Sequence, residues 1–259
     1  MAYPGDECQG DVSVRGMQTK TNNKVKITKQ INLAQVDYIR IEGFEIANTN
    51  FNEGGIYIQE YNTTLHGKGI QIVNNYIHDC RRNDVNAVAN GIFAMNVQDL
   101  LVENNEIYSN DSTGVIIGDI KAPTLTTQNV IVKGNYIHYN GQDGVHAEGG
   151  NITIENNRIG DQHHTDGHQD GIEIYGPNDG LVIRNNYVYD TTQNIYISST
   201  YGSIKNIEIL GNVTWTDEWA SHNPAGIKIG PDIYSIEGVR VEGNTCFGGY
   251  NMIENVIGL

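Results

Sequence analysis

Basic residues are scarce in this chain: 16 lysines and arginines stand against 31 aspartates and glutamates in 259 residues, a formal charge of -15. A surface of that sign repels nucleic acid and anionic membrane headgroups, so neither is an expected partner. Cysteine is sparse too. Cys8, Cys80 and Cys246 are too few and too far apart for a disulfide framework, no Cys-x-x-Cys spacing occurs, and the three read as buried thiols. There is no run of about 18 apolar residues, which excludes a membrane-spanning helix as an expectation. The opening "MAYPGDECQG" lacks the charged and apolar regions of a signal peptide, so a soluble mature chain is expected. Uninterrupted stretches that would suit a helix of ten or more residues are almost absent. The length fits one elongated domain or two small ones.

What the chain has is a repeat. The second asparagine of each "NN" or "GN" pair falls at Asn75, Asn105, Asn135, Asn157, Asn186, Asn212 and Asn244, seven copies at intervals of 22 to 32 residues. Three positions before each lies Ile72, Val102, Val132, Ile154, Ile183, Ile209 or Val241, and five before lies another aliphatic residue in every copy. Two positions after come Ile77, Ile107, Ile137, Ile159, Val188, Thr214 and Cys246, so buried positions alternate on both sides of a bend, as in two short strands. "IRIEGFEI" at Ile39 to Ile46 is a degenerate earlier copy. A third strand per unit is seen in "GIYI", "GIFA", "GVII", "GVHA", "GIEI", "NIYI" and "GIKI". Three short strands make a coil, and stacking about eight coils roughly 4.8 Å apart buries a continuous aliphatic core. The expected fold is therefore all-β, a single-stranded parallel β-helix filling one domain over residues 1–259, with 1–24 as an irregular lead-in. At the bend, the recurring asparagine is expected to tolerate left-handed geometry and to bond the next coil's asparagine.

This repeat, its asparagine ladder and its three-strand coil resemble the right-handed parallel β-helix, or pectin-lyase-like, superfamily over residues 25 to 259. The superfamily includes polysaccharide lyases, glycoside hydrolases, epimerases and non-catalytic adhesins. The resemblance implies a polysaccharide partner, a monomer and a secreted, periplasmic or cell-surface location. "AYPG" resembles a phrase from the middle of longer β-helical proteins, so a signal peptide and first coil are expected to precede it, and trimming is expected at both ends.

Variable length must reside in the loops. "DCRRNDVNAVAN", "GDQHHTDGHQD" and "WTDEWASHNPA" precede third strands along one edge, while "QEYNTTLHGKG" and "GDIKAPTLTTQN" follow them on the other. Two uneven walls are thus expected to flank a groove, which resembles the substrate cleft of the superfamily. Its floor carries Tyr57, Phe93, Ile116, His146, Glu173, Tyr196 and Lys228 in one row, then Gln59, Met95, Gly118, Glu148, Tyr175, Ser198 and Gly230 in the next. Flat rings at Tyr57, Phe93, Tyr175 and Tyr196 around a charged centre suit a sugar chain. A second aromatic set, Tyr76, Tyr136 and Tyr187 with His78, Tyr108, His138, Tyr189 and Trp215, reads as a structural ladder.

The centre of the floor is acidic. "QDGVHA" and "QDGIEI" occupy one position in adjacent coils, placing Asp143 and Asp170 about 5 Å apart and His146 beside Glu173, with Asp166 and Glu148 close by. Like charges so close need neutralising, by a cation or by shared protons. In the first case, the favoured one, Asp143, Asp166, Asp170 and Glu148 hold Ca2+, and Lys228 or a histidine (His146, His163, His164 or His168) removes a proton from an acidic, uronate-containing polysaccharide in a β-elimination, which resembles the calcium-dependent pectate lyases. Lys228 is two coils, roughly 10 Å, from Glu173. In the second case one carboxyl is an acid and another activates water, an inverting hydrolysis resembling the polygalacturonases, although their doubled aspartate and Gly-His-Gly strand are missing here. A uronate epimerase shares the proton-abstraction chemistry, but the loop lacks the Asp-Pro-His triplet associated with that family. A non-catalytic carbohydrate-binding or adhesin β-helix with calcium as a staple is the remaining class, and zinc on His163, His164, His168 and Asp166 is a lesser option. Arg81 and Arg82 are placed for a carboxylate or sulfate at a distant subsite, and Asp217, Glu218, Trp219 and His222 for closing the groove's far end.

Overall fold

The computed structural model describes residues 12–15, 24–34, 36–47, 53–59, 67–84, 89–118, 126–162, 169–216, 224–230 and 232–253. Alternating apolar residues on both sides of the Asn bend do form short strands, such as Gln71–Val73 and Tyr76–His78. The "GI" segments form a third, such as Ile92–Met95. Each strand pairs in parallel with its counterparts one coil before and after, which builds three sheets of nine strands among the described residues. That is one more than the expected eight or so, because the lead-in contains the strand Val12–Arg15, parallel to Ile39–Glu42. Its Val-Ser-Val alternation has the strand period without the Asn pair that marks the later coils.

Stacked registers put like on like. Ile41, Ile72, Val102, Val132, Ile154, Ile183, Ile209 and Val241 form one column through the first sheet. The core these columns build is almost wholly aliphatic, with Ile72, Ile107, Ile137 and Ile183 fully buried. Each such side chain contributes roughly 1.5–3 kcal/mol relative to exposure. Cys80 is buried as expected, whereas Cys246 is partly exposed in the last coil.

The bend divides its work between two residues. The expectation that the recurring asparagine itself takes left-handed geometry is corrected: Asn74, Asn104, Asn156 and Asn185, and Gly134, Gly211 and Gly243, are the residues with positive φ. These are the first members of the pairs, which explains why only Asn or Gly stands there. The second member is buried and carries the ladder. Asn135 Oδ1 accepts from the backbone N–H and Nδ2 of Asn105 at 2.9 and 3.0 Å. Its Nδ2 donates to Val102 O and to Asn157 Oδ1, both at 3.0 Å. A second amide ladder, Asn110, Asn140 and Gln162, runs five residues further on. Sequence reading missed it because its residue type changes from coil to coil.

Asn135→Ala removes four buried hydrogen bonds and is expected to cost about 3 kcal/mol in urea unfolding, since the groups left behind are desolvated without partners. Asn104→Gly, at the left-handed position, is expected to stay within about 0.5 kcal/mol of the parent. Equal effects at the two neighbouring positions would contradict this division of labour.

Candidate functional site

The outer face of the third sheet carries the predicted row in register: Tyr57, Phe93, Ile116, His146, Glu173, Tyr196 and Lys228 stand side by side in successive coils. The aspartates precede it by a glycine that closeness requires. A Cβ on Gly144 would stand 2.3 Å from Ile159 Cγ2 and 2.7 Å from Gly171 O, so only Gly fits that corner. Asp143 and Asp170 are adjacent, as expected: the Asp170 backbone N–H donates to Asp143 Oδ1 at 3.0 Å, and the Gln193 N–H donates to Asp170 Oδ1 at 3.0 Å. Two coils earlier Asn90 Oδ1 takes the same bond from Thr113. The aspartates thus continue a ladder with carboxylate in place of amide.

Around them a buried charge cluster closes. His146, 2% exposed, donates Nδ1–H to Glu173 Oε2 at 2.8 Å and Nε2–H to Glu148 Oε1 at 2.9 Å. Burial alone would lower its pKa, but hydrogen bonds and charge from Glu148 and Glu173 outweigh this and lift it well above the ordinary value. An imidazolium clamped between two glutamates is therefore part of the floor, and it is a poor general base. Asp143 is pushed well above the usual carboxylate range, by burial first and then by the charges of Glu173 and Asp170. Tyr175 is raised by burial and by its charged hydrogen-bond partner Glu173. It stands edge-to-face with His146 at 5.8 Å, Tyr196 at 5.8 Å and Tyr201 at 5.9 Å.

The remaining predicted residues divide. Tyr57 and Phe93 stack on each other at 4.7 Å, so each covers one face of the other. Lys228 Nζ lies 4.7 Å over the Tyr196 ring, two coils along from Glu173 as the register requires. Arg81 binds Asp79 and Asp111 with its two Nη atoms, and the backbone N–H of Arg82 donates to Asp111, so a guest carboxylate at Arg81 would have to displace an ion pair. The second aromatic set does stack as a ladder, with His78–Tyr108 at 4.7 Å and Tyr108–His138 at 5.2 Å. His163, His164, Asp166, His168, Asp217, Glu218, Trp219 and His222 lie outside the described residues, as do most of the two expected walls. Sequence reading missed Tyr201. Its signal was the Tyr-Gly pair repeated at the end of consecutive third strands, Tyr175-Gly176 and Tyr201-Gly202.

Single donor atoms of Asp143, His146 and Glu173 lie within 4.8 Å of one another. Calcium takes six to eight oxygens. Here an imidazole nitrogen sits at the centre, and Asp143, Asp170, Glu148 and Glu173 each have one oxygen already accepting a hydrogen bond, so the described residues fit calcium poorly.

The chain belongs to the right-handed β-helix family: residues 12–164 match the family described as "Right handed beta helix region". Similar solved structures include the enzymatically active domain of tailspike protein 2 from bacteriophage CBA120, with TM-score 0.55, 13% identity, and coverage of 95% of this chain and 38% of that one. The periplasmic alginate epimerase AlgG gives TM-score 0.54 at 15% identity, over 93% of this chain and 55% of that one. The Dettilon tailspike protein gives 0.51 at 13%, over 91% and 54%. The chain spans about half the length of these proteins or less, and at such identities the likeness is one of fold. A search of curated proteins gives no match.

Both raised pKa values act on stability with one sign. A native state that holds a proton more tightly than the unfolded chain loses stability as pH rises. The contribution of His146 is complete below its ordinary 6.5 and is lost as pH climbs through the raised native value. Asp143 adds a decline that begins above its ordinary 3.8. Thermal unfolding midpoints are expected to fall as pH rises above about 6.5, and His146→Gln to flatten that limb. A parent protein whose midpoint is constant from about pH 6 to 9 would contradict the clamped imidazolium.

Proposed function

We propose that this protein is a carbohydrate-active enzyme that hydrolyses a polysaccharide over the outer face of the third sheet. One observation carries the reading: a carboxyl oxygen of Asp143 and one of Glu173 lie within 4.8 Å of each other on that face, beside the His146 imidazole. Asp143 is driven toward its acid form, and Glu173 accepts a hydrogen bond from His146 and is bonded by the Tyr175 hydroxyl. A carboxyl kept as an acid beside a second, hydrogen-bonded carboxyl is the pairing that a glycosidase's acid and nucleophile need. Asp143 would protonate the glycosidic oxygen as its bond to the sugar carbon breaks and Glu173 attacks that carbon; water, giving its proton to Asp143, would then displace Glu173 and release the sugar. Direct attack by Glu173 is the retaining route, where the polygalacturonase resemblance, itself the alternative to elimination, implies an inverting one. Glu173 is 5% exposed and Asp143 7%, which keeps the site dry and its electrostatics strong. That structures of this fold include a periplasmic alginate epimerase supports a glycan as substrate and a periplasmic or secreted setting, and an enzymatically active tailspike domain supports an enzyme.

The test is a panel of neutral and uronate polysaccharides, with and without a chelator, read both for new reducing ends and for the absorbance of unsaturated uronate. Reducing ends alone are expected, insensitive to chelation. Unsaturated product lost on chelation would replace hydrolysis by the calcium-assisted elimination that the resemblance implies, and no product would leave a binding protein. Asp143→Asn and Glu173→Gln are each expected to lower kcat by about 10²–10⁴. Asn still accepts the Asp170 N–H, so the fold is expected to persist; full turnover in either variant removes the assignment.

A further inference from the structure

We infer that Tyr201 and Tyr175, with Thr200 and Asp232 at their rim, form a sugar subsite beside the acidic cluster that takes an uncharged pyranose ring. The inference rests on the glycan reading above and adds residues and a substrate class to it. A pyranose binds aromatic residues through a free ring face and polar groups through its hydroxyl edge. Most rings on the floor lack such a face. Tyr57 and Phe93 lie parallel, 11° apart at 4.7 Å, and the Lys228 ammonium sits over Tyr196. Tyr175 is hemmed by edge-to-face contacts with His146 and Tyr196. Tyr201 differs: it is 43% exposed, and its one ring contact among the described residues is with Tyr175, at an interplanar angle of 81°.

Tyr201 is also held in place. Its backbone N–H donates to Tyr175 O at 3.1 Å, so the turn after one third strand is stapled to the turn before it. Ordered polar groups border it: Ser198 Oγ and Thr200 Oγ1 are 2.9 Å apart, Thr200 Oγ1 donates to Asp232 Oδ2 at 3.0 Å, and the Asp232 N–H donates to Ser199 Oγ. A hydroxyl on the residue before Tyr201, bonded to a carboxylate, offers polar partners for a sugar's hydroxyl edge in the same turn that presents a ring for its apolar face. Charge selects among sugars. The acids Asp232, Glu173, Glu148 and Asp170 outnumber the two cations of this region, Lys228 over Tyr196 and the His146 imidazolium between Glu148 and Glu173, so a uronate at this position meets net repulsion. Because Tyr175 both bonds Glu173 and contacts Tyr201, the ring bound here is one subsite from the proposed scissile bond.

The experiment titrates neutral oligosaccharides (xylo-, cello-, manno- and N-acetylglucosamine series) and oligouronates into Glu173→Gln protein, with Tyr201→Ala, Tyr201→Phe and Tyr201→Trp added in the same background. Tyr201→Ala is expected to weaken binding of the preferred neutral oligomer about tenfold, while Phe and Trp retain it. In the otherwise native enzyme Tyr201→Ala is expected to raise KM by about the same factor with kcat within about twofold. Cleavage with an unchanged KM in Tyr201→Ala overturns the subsite and leaves hydrolysis standing. Tyr201-dependent binding without any cleavage overturns hydrolysis and leaves the subsite standing. Tighter binding of oligouronates than of neutral chains overturns the assigned substrate class, and no binding by any of them overturns both readings.

Discussion

Vertical stacking governs this molecule. Each coil lies one strand spacing above the last, so every side chain meets the residue in the same place one coil away, and what a column contains decides whether it helps or harms. Aliphatic columns fuse into a core, and asparagine columns become hydrogen-bonded rails because an amide both donates and accepts. A carboxylate column has no such self-complementarity: it can only accept. Where Asp143 and Asp170 enter the rail that Asn90 begins, the backbone N–H groups still find their acceptor, but the second oxygen of each acid brings either a charge or a proton into a buried place, and at Asp143 the proton is favoured.

The molecule's answer to that charge lies sideways. His146 reaches Glu148 within its own strand and Glu173 on the next, and burial that would strip its proton is overcome by two carboxylate partners. The four acids and one imidazolium are then a single unit whose members cannot be altered independently. Breaking such a buried arrangement on one side exposes the remaining charge to a low-dielectric surrounding. The cluster stands on a sheet whose outward row sets rings beside ionisable groups, and a buried polar cluster of this kind is a candidate for chemistry.

How much of this was legible in the sequence follows from the same geometry. The repeat period fixes vertical neighbours, so the Asn ladder, the Asp143–Asp170 pair, the His146–Glu173 pair and the two-coil distance to Lys228 could all be read from spacing. Lateral contacts depend on rotamers and on turns whose lengths vary, and no period encodes them. The second bond of His146 to Glu148, the engagement of Arg81 by Asp79 and Asp111, and the approach of Tyr201 to Tyr175 belong to this class. The division of the bend failed for a different reason. Where both residues of a pair are asparagine, composition cannot say which one turns the chain and which one bonds; only the Gly-Asn copies carry that information, since glycine can do the first and never the second.

Those two kinds of contact also separate what the fold needs from what the site can vary. Asn135 is bound above and below, so a change there is felt by two coils at once. Tyr201 is bound by its backbone, leaving its ring free of any duty to the solenoid. Residues with that freedom, standing next to a cluster that has none, are where a β-helix can change its sugar without rebuilding its proton chemistry. The acidic unit is locked by the stack beneath it, and Tyr201 at its edge is held by the backbone of its turn, so the selectivity and the catalysis proposed for this protein rest on different structural supports.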